Sequence, residues 1–244
     1  MDIPLYFYVA YEDLDRLSPG SGKTTGRVID MIDLDIDDGL NILDIGCGVG
    51  QATIQLAEHF LNAEVEAVDF FRHYLDVLDE KINENNLQKR VFTYKMDMRD
   101  LDFANEDFDI VFAEASIEII GFKKGLSEWK RLLKPNGYLI VSDVSWIGKP
   151  SAESRKFWKS TYDEVDTIEN KISQIRDEGY EFIDYVIVPK EDWKSYHERL
   201  EENLAKLNGN ASAKEFVRQL KKEINVYRQN SEDYSYVFYI MRRG

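Results

Sequence analysis

The chain has 244 residues, enough to bury a substantial core as one large domain or as a core with a cap. Its 46 acidic residues exceed its 31 basic ones, and the resulting formal charge of −15 disfavours nonspecific attraction to nucleic-acid phosphates. A single cysteine excludes an intramolecular disulfide framework and suits a reducing cytoplasm, and no run is apolar and long enough to read as a leader or a membrane span.

In chain order, residues 1–40 read as an amino-terminal helical cap. Tyr6–Leu17 and Lys23–Ile32 look helical, broken by Ser18-Pro19-Gly20-Ser21. Gly22-Lys23-Thr24 imitates a phosphate-binding loop, but that pattern needs glycine where Leu17 stands, and a charged stretch precedes it instead of an apolar strand. A helix entry capped by Ser21 is the expectation there. Ile42, Leu43 and Ile45 then form the apolar run of a buried parallel strand, after which Gly46, Gly48 and Gly50 clear side chains from the turn. Gln51–Leu61 follows at helical spacing. Strand, glycine turn and helix let a nucleotide-like ligand approach the backbone at the carboxyl edge of a doubly wound sheet.

Glu64–Asp69 reads as a second strand ending in a carboxylate. Phe71, Leu75, Leu78 and Ile82 mark a helix, Val91–Met96 a third strand closed by Asp97, and Phe108–Glu114 a fourth ending in an acid. Leu126, Trp129 and Leu133 mark another helix, and Asn136-Gly137 turns the chain into a fifth strand, Tyr138–Val144. Helical patterns around Phe157, Trp158, Ile168, Ile172 and Ile175 precede a sixth strand near 181–188. Residues 190–230 read as a helical hairpin, with Trp193, Tyr196, Leu200, Leu204 and Leu207 on one helix and Phe216, Leu220, Ile224 and Tyr227 on the other. Ser212 with Glu215 spells a capping box for the second helix, and Tyr234–Met241 is a final strand. Lys214, Arg218, Lys221 and Lys222 read as the solvated face of that second helix.

The details of the glycine turn separate two cofactor classes. A dinucleotide fingerprint needs a third glycine at position 51, which is Gln51, and Asp44 would sit badly beside a pyrophosphate. S-adenosylmethionine has no phosphate and carries a sulfonium and an ammonium, so acids at successive strand ends (Asp44, Asp69, Asp97 and Glu114) suit it. A dedicated metal site has little support, because His59, His73 and His197 show no ligand spacing with each other.

These residues resemble a class I S-adenosylmethionine-dependent methyltransferase, and within it the UbiE-like or methyltransferase type 11 group. The match runs through Leu43–Gly50, Val68-Asp69-Phe70, Met96-Asp97-Met98, Phe108–Val111 and Leu132–Leu139, in family order over residues 20–145. It implies an α/β fold with a doubly wound, seven-stranded, mostly parallel sheet and a helical cap. Residues 1–244 would form one methyltransferase domain: cap 1–40, cofactor-binding core 41–189, hairpin insertion 190–230 and final strand 231–244. It also implies roles: Gly46, Cys47, Gly48 and Gly50 for close backbone approach, Asp44 for the amino-acid end, Asp69 for the ribose hydroxyls and Phe70 against the adenine. Asp97 and Met98 would hold the adenine edge, and Glu114 the methionyl pocket.

The acceptor side is open. Ala115–Gly121 lacks the Asn/Asp-Pro-Pro-Tyr/Phe segment of relatives that methylate adenine or glutamine nitrogens. The catalytic candidates are Glu118 and His197, with Tyr11, Trp146 and Tyr196 as further candidates to face a small-molecule acceptor; by pattern Tyr196 falls on an apolar helix face and His197 off it, in solvent. The hairpin serves as a substrate lid or as a dimer contact, alternatives the sequence leaves open. Two other functions stay beside methyl transfer: a noncatalytic S-adenosylmethionine-binding module and a nucleotide-cofactor oxidoreductase.

Overall fold

A computed structural model describes residues 4–244. Seven strands build the sheet: β1 (Asn41–Ile45), β2 (Glu64–Asp69), β3 (Val91–Lys95), β4 (Phe108–Ala113), β5 (Leu133–Trp146), β6 (Tyr180–Ile187) and β7 (Tyr234–Arg243). They lie in the order β3-β2-β1-β4-β5-β7-β6, and a two-residue strand, Asp166–Thr167, adds a pairing at the end of β5. The first five run parallel, while β7 is antiparallel to both β5 and β6.

The central strands are apolar on both faces because helices cover both. Alternate residues of β1, β2, β4 and β5 (Ile42, Val65, Ile110, Ile140) join one core with α2 (Gly22–Ile29), α3 (Gln51–His59) and α4 (Arg72–Glu84). The intervening residues (Leu43, Val68, Val111, Leu139) join a second core with α5 (Phe122–Trp129) and α7 (Ile168–Asp177). Each such aliphatic side chain, fully buried, contributes about 1.5–3 kcal/mol. The hairpin helices α8 (Lys190–Lys206) and α9 (Lys214–Gln229) bring Trp193, Val226 and Tyr227 into the first core beside α6 (Ala152–Thr161). Their outer halves form a third cluster with Ala10 of α1 (Leu5–Ala10).

Several sequence expectations are corrected. The first helix ends at Ala10 instead of Leu17; Asp13 takes a left-handed conformation (φ 54°), and a non-helical segment leads to α2. Strand five begins at Leu133, not Tyr138. Leu133 pairs with Phe108 and Tyr138 with Ile110, so Asn136-Gly137 forms a bulge inside the strand. Asn136 is left-handed there (φ 65°), and a Cβ on Gly137 would lie 3.0–3.1 Å from three carbonyl oxygens. The Ser212–Glu215 capping box does not form. The Asn210 side chain accepts from the Ser212 and Ala213 amides (3.0 and 3.2 Å), and Glu215 pairs with Arg218. Ser21 does cap α2, accepting from the Thr24 amide at 3.2 Å.

His197, expected in solvent, is 2% exposed and ringed by Trp193, Tyr196 and Tyr227, with Nε2 unpartnered. Burial, helped by Arg228, lowers its pKa to about 4. The fold therefore prefers the neutral ring: its contribution is complete above the unfolded pKa of about 6.5 and is lost as pH falls from there toward the folded value. His197→Phe is expected to flatten this. Between pH 8 and pH 5 the wild type should lose about 2 kcal/mol more than the variant in urea titrations. Parallel stability profiles would contradict the assignment.

Candidate active site

The carboxyl edge of the sheet opens where β1 ends. The Gly46 and Cys47 amides donate to the Val68 carbonyl (2.8 and 3.0 Å), which ties the turn to β2. Gly46 and Gly48 are left-handed (φ 73° and 53°). A Cβ on Gly46 would meet Ser116 Cβ at 2.6 Å, so only glycine permits this approach. Asp69, at the end of β2, locks the turn from beneath: Oδ2 accepts from the Gly48 amide (2.9 Å) and Oδ1 from the Phe71 amide (2.8 Å). Its pKa is raised by burial against the pull of these amides. Asp44 lies deeper, 1% exposed, with Thr53 Oγ1 donating to Oδ2 at 2.6 Å. Burial pushes it up to about 7, opposed by the Thr53 bond, and Glu114 and Asp69 add to the rise. The Cys47 thiol is also raised, mainly by burial, which disfavours the reactive thiolate.

The segment after α1 closes the other side. Arg16 Nη1 contacts Glu114 Oε1 at 2.5 Å, and Arg16 Nη2 donates to Gln55 Oε1 at 3.2 Å. Thr25 donates to the second Glu114 oxygen (3.0 Å). Behind it stands the hairpin: Asn203 donates to the carbonyls of Ala10 and Glu12 (3.2 and 2.7 Å), and Thr24 to Asp192 (2.6 Å). Between this segment and the glycine turn lies a cavity of about 960 Å³ counting its open mouth.

The cavity is lined by Asp44, Gly46, Cys47, Gly48, Asp69, Phe70, Met98 and Glu114 among the expected residues, and by Tyr11. Others fall outside it. Gly50 serves packing, since a Cβ there would meet Leu78 Cδ1 at 2.1 Å. Asp97 is forked by Arg99 (2.6 and 2.8 Å), whose hydrogen bonds hold it down at about 2. His197 is sealed in the hairpin's packing, and Trp146 packs on Tyr234. Glu118 borders a separate shallow hollow on the far side of Ile119, which itself lines the cavity. Tyr196 donates to the Leu17 carbonyl at 3.1 Å.

Arg16, Tyr74 and Ser116 line the cavity without having been singled out. Arg16 looked like part of a charged helix, and nothing local marks its partner 98 residues away. Lys23, of the Gly-Lys-Thr string, is exposed on α2, and no strand leads into it. Lys23→Ala is expected to leave ligand binding at the cavity unchanged within twofold, and the protein to hydrolyse neither ATP nor GTP. Lysine-dependent nucleotide turnover would overturn that. Among the described residues no group of three His, Cys, Asp or Glu is placed to hold a metal ion, and no helix is long and apolar enough to cross a membrane.

Comparison with known proteins places these features in context. Residues 42–137 match the family model described as a methyltransferase domain. An uncharacterized protein of Haemophilus influenzae is 33% identical over 136 residues, 54% of this chain and 53% of that protein. The demethylmenaquinone methyltransferase of Lactobacillus johnsonii is 33% identical over 110 residues, 44% of this chain and 45% of the enzyme. The chain thus spans about half the length of these curated relatives. In structure it is similar to a SAM-dependent methyltransferase from Geobacter sulfurreducens in complex with S-adenosyl-L-homocysteine. The TM-score is 0.85 at 17% identity, covering 100% of this chain and 99% of that one, a likeness of fold.

Proposed function

We propose that this chain, whose core is a class I S-adenosylmethionine-dependent methyltransferase domain, binds S-adenosylmethionine in the cavity and moves its methyl group to a small-molecule acceptor. One observation carries the reading: the cavity joins a glycine-rich turn pinned by Asp69 to three carboxylates, Asp44, Asp69 and Glu114, with Arg16 paired to Glu114. That set suits a ligand with a sulfonium and an ammonium and would repel a pyrophosphate. Asp69 would take the ribose hydroxyls, Phe70 and Met98 the adenine, and Asp44, Glu114 and Arg16 the amino-acid end with its ammonium and carboxylate. We read residues 1–244 as one functional unit in which the hairpin 190–230 braces the segment after α1.

The cofactor supplies an activated methyl group. The protein's part is to hold the acceptor atom in line with it and to exclude water. The cavity's position between the glycine turn and the segment after α1 suits an acceptor of metabolite size. Calorimetric titration is expected to show binding of S-adenosylmethionine and S-adenosylhomocysteine, and none of NAD. Incubation with labelled cofactor and a metabolite extract is expected to label a small compound. Absence of cofactor binding would end the reading. Binding without transfer to any component would favour the noncatalytic module.

A further inference from the structure

The wall of the cavity opposite the glycine turn has no framework of its own. Residues 11–21 join α1 to α2, and Tyr11, Asp15, Arg16, Leu17 and Ser18 among them line the cavity. Among the described residues, none of 15–20 takes part in a backbone–backbone hydrogen bond. Backbone of this kind is free to take many shapes, and ordering it costs conformational entropy. The order must come from outside the segment.

It comes from one stripe of α8. Asp192, Tyr196, Arg199, Asn203 and Lys206 stand three or four residues apart, so they share a side of the helix. From 192 to 206 they meet the segment and its flanks in reverse chain order. Asp192 Oδ2 accepts from the Thr24 hydroxyl at 2.6 Å, and the Tyr196 hydroxyl donates to the Leu17 carbonyl at 3.1 Å. Arg199 donates to the Asp13 carbonyl (3.3 Å), and Asn203 to the Glu12 and Ala10 carbonyls (2.7 and 3.2 Å). Lys206 pairs with the Glu12 carboxylate at 3.1 Å. Asp192 and Asn203 are 8% and 6% exposed, and polar groups so buried are costly unless their partners stay in place. The tie at Leu17 bears most directly on the cavity. Leu17 Cδ1 lies 3.0 Å from where a Cβ on Gly48 would stand, so this residue sets the gap over the glycine turn, and Arg16 beside it reaches Glu114.

Resting on the methyl-transfer reading, we propose that Tyr196 and Asn203 are positioning residues for the cofactor. Neither lines the cavity. On this assignment α8 is the template that shapes the segment after α1, and its ties set how tightly and how long S-adenosylmethionine is held. A ligand that needs the segment in place binds with an affinity reduced by the fraction of time the segment spends there. Loosening either tie therefore acts on ligand release.

The test compares the full chain with Tyr196→Phe, which removes the hydroxyl at Leu17, and Asn203→Leu, which removes the amide at Ala10 and Glu12. Without ligand, hydrogen exchange of residues 11–20 is expected to speed up at least tenfold in either variant, with α4 unchanged. S-adenosylhomocysteine should bind each variant about fivefold more weakly, through faster dissociation, at a temperature where melting curves show all proteins folded. In an Arg16→Met background the segment has already lost its hold on Glu114, and there Tyr196→Phe should weaken binding by less than a further twofold. Unchanged exchange, unchanged affinity of folded Tyr196→Phe, or the full fivefold loss repeated in the Arg16→Met background would each overturn the proposal. If Asn203→Leu does not fold, Tyr196→Phe decides alone. Failure of the wild type to bind S-adenosylhomocysteine removes the cofactor reading itself, and the positioning assignment falls with it.

Discussion

Asp69→Ala is expected to weaken S-adenosylhomocysteine binding by about 10- to 100-fold, on the order of 1.4–2.8 kcal/mol. Two losses combine. The carboxylate that would meet the ribose hydroxyls disappears, and charge-assisted hydrogen bonds of that kind are among the stronger ones. The Gly48 and Phe71 amides, held at 2.9 and 2.8 Å, also lose their acceptor. Because Asp69 is 8% exposed, water replaces those bonds only in part, and the turn relaxes away from the shape that receives the ligand. The variant should also lose about 1–3 kcal/mol of stability, for one or two buried donors left unpaired. Circular dichroism melts separate the two effects, since binding is measured at a temperature where both proteins are folded. Unchanged titration isotherms for the folded variant would remove Asp69 from the binding site.

Much of this site was readable because its determinants are local. A short apolar run, three glycines and a helical spacing lie within twenty-odd residues; Ile42, Leu43 and Ile45 fall inside β1, and the second strand has the expected bounds, Glu64–Asp69. A carboxylate that ends such a strand lands on the ligand edge for topological reasons. What escaped depends on contacts across the chain. The helix expected to reach Leu17 stops at Ala10 because the residues beyond it are tied to α8 through Asn203 and to β4 through Arg16, bonds that helical spacing does not register. His197 stands four residues after Trp193 and three before Leu200, on the buried face of α8, and Tyr227 of α9 closes over it, so placing it in solvent followed its polarity and not the helical period. Asp97 lies two residues past the end of β3 at Lys95, β3 is the sheet edge, and Arg99 occupies its carboxylate. Gly50 belongs to the glycine run while its space is taken by Leu78 of α4.

The largest loss of stability is expected from Lys171→Met. Lys171 and Asp143 are both 0% exposed, joined at 2.5 Å, with the ammonium 4.1 Å from the centre of the Phe122 ring. A buried pair of this kind is weak evidence of net stabilisation, because the desolvation of two ions offsets most of their attraction. Removing one member is different, since the other is left charged and alone. The Tyr162 hydroxyl, 3.3 Å from Asp143 Oδ2, supplies a poor substitute, and Asp143 Oδ1 already has no partner. Lys171→Met should therefore cost about 3–5 kcal/mol near neutral pH. Burial already raises the Asp143 pKa, and without the ammonium it should rise further. The loss should shrink as pH falls, because a protonated Asp143 needs no cation. Combining Lys171→Met with Asp143→Leu removes both charges from a site walled by Phe122 and Tyr162, and should return to within about 1 kcal/mol of the wild type. Chemical denaturation of the two single variants and the double at pH 7 measures the coupling. If the double variant is as unstable as the sum of the singles, the pair is not the origin of the loss, and the shape of the lysine stem against Phe122 is.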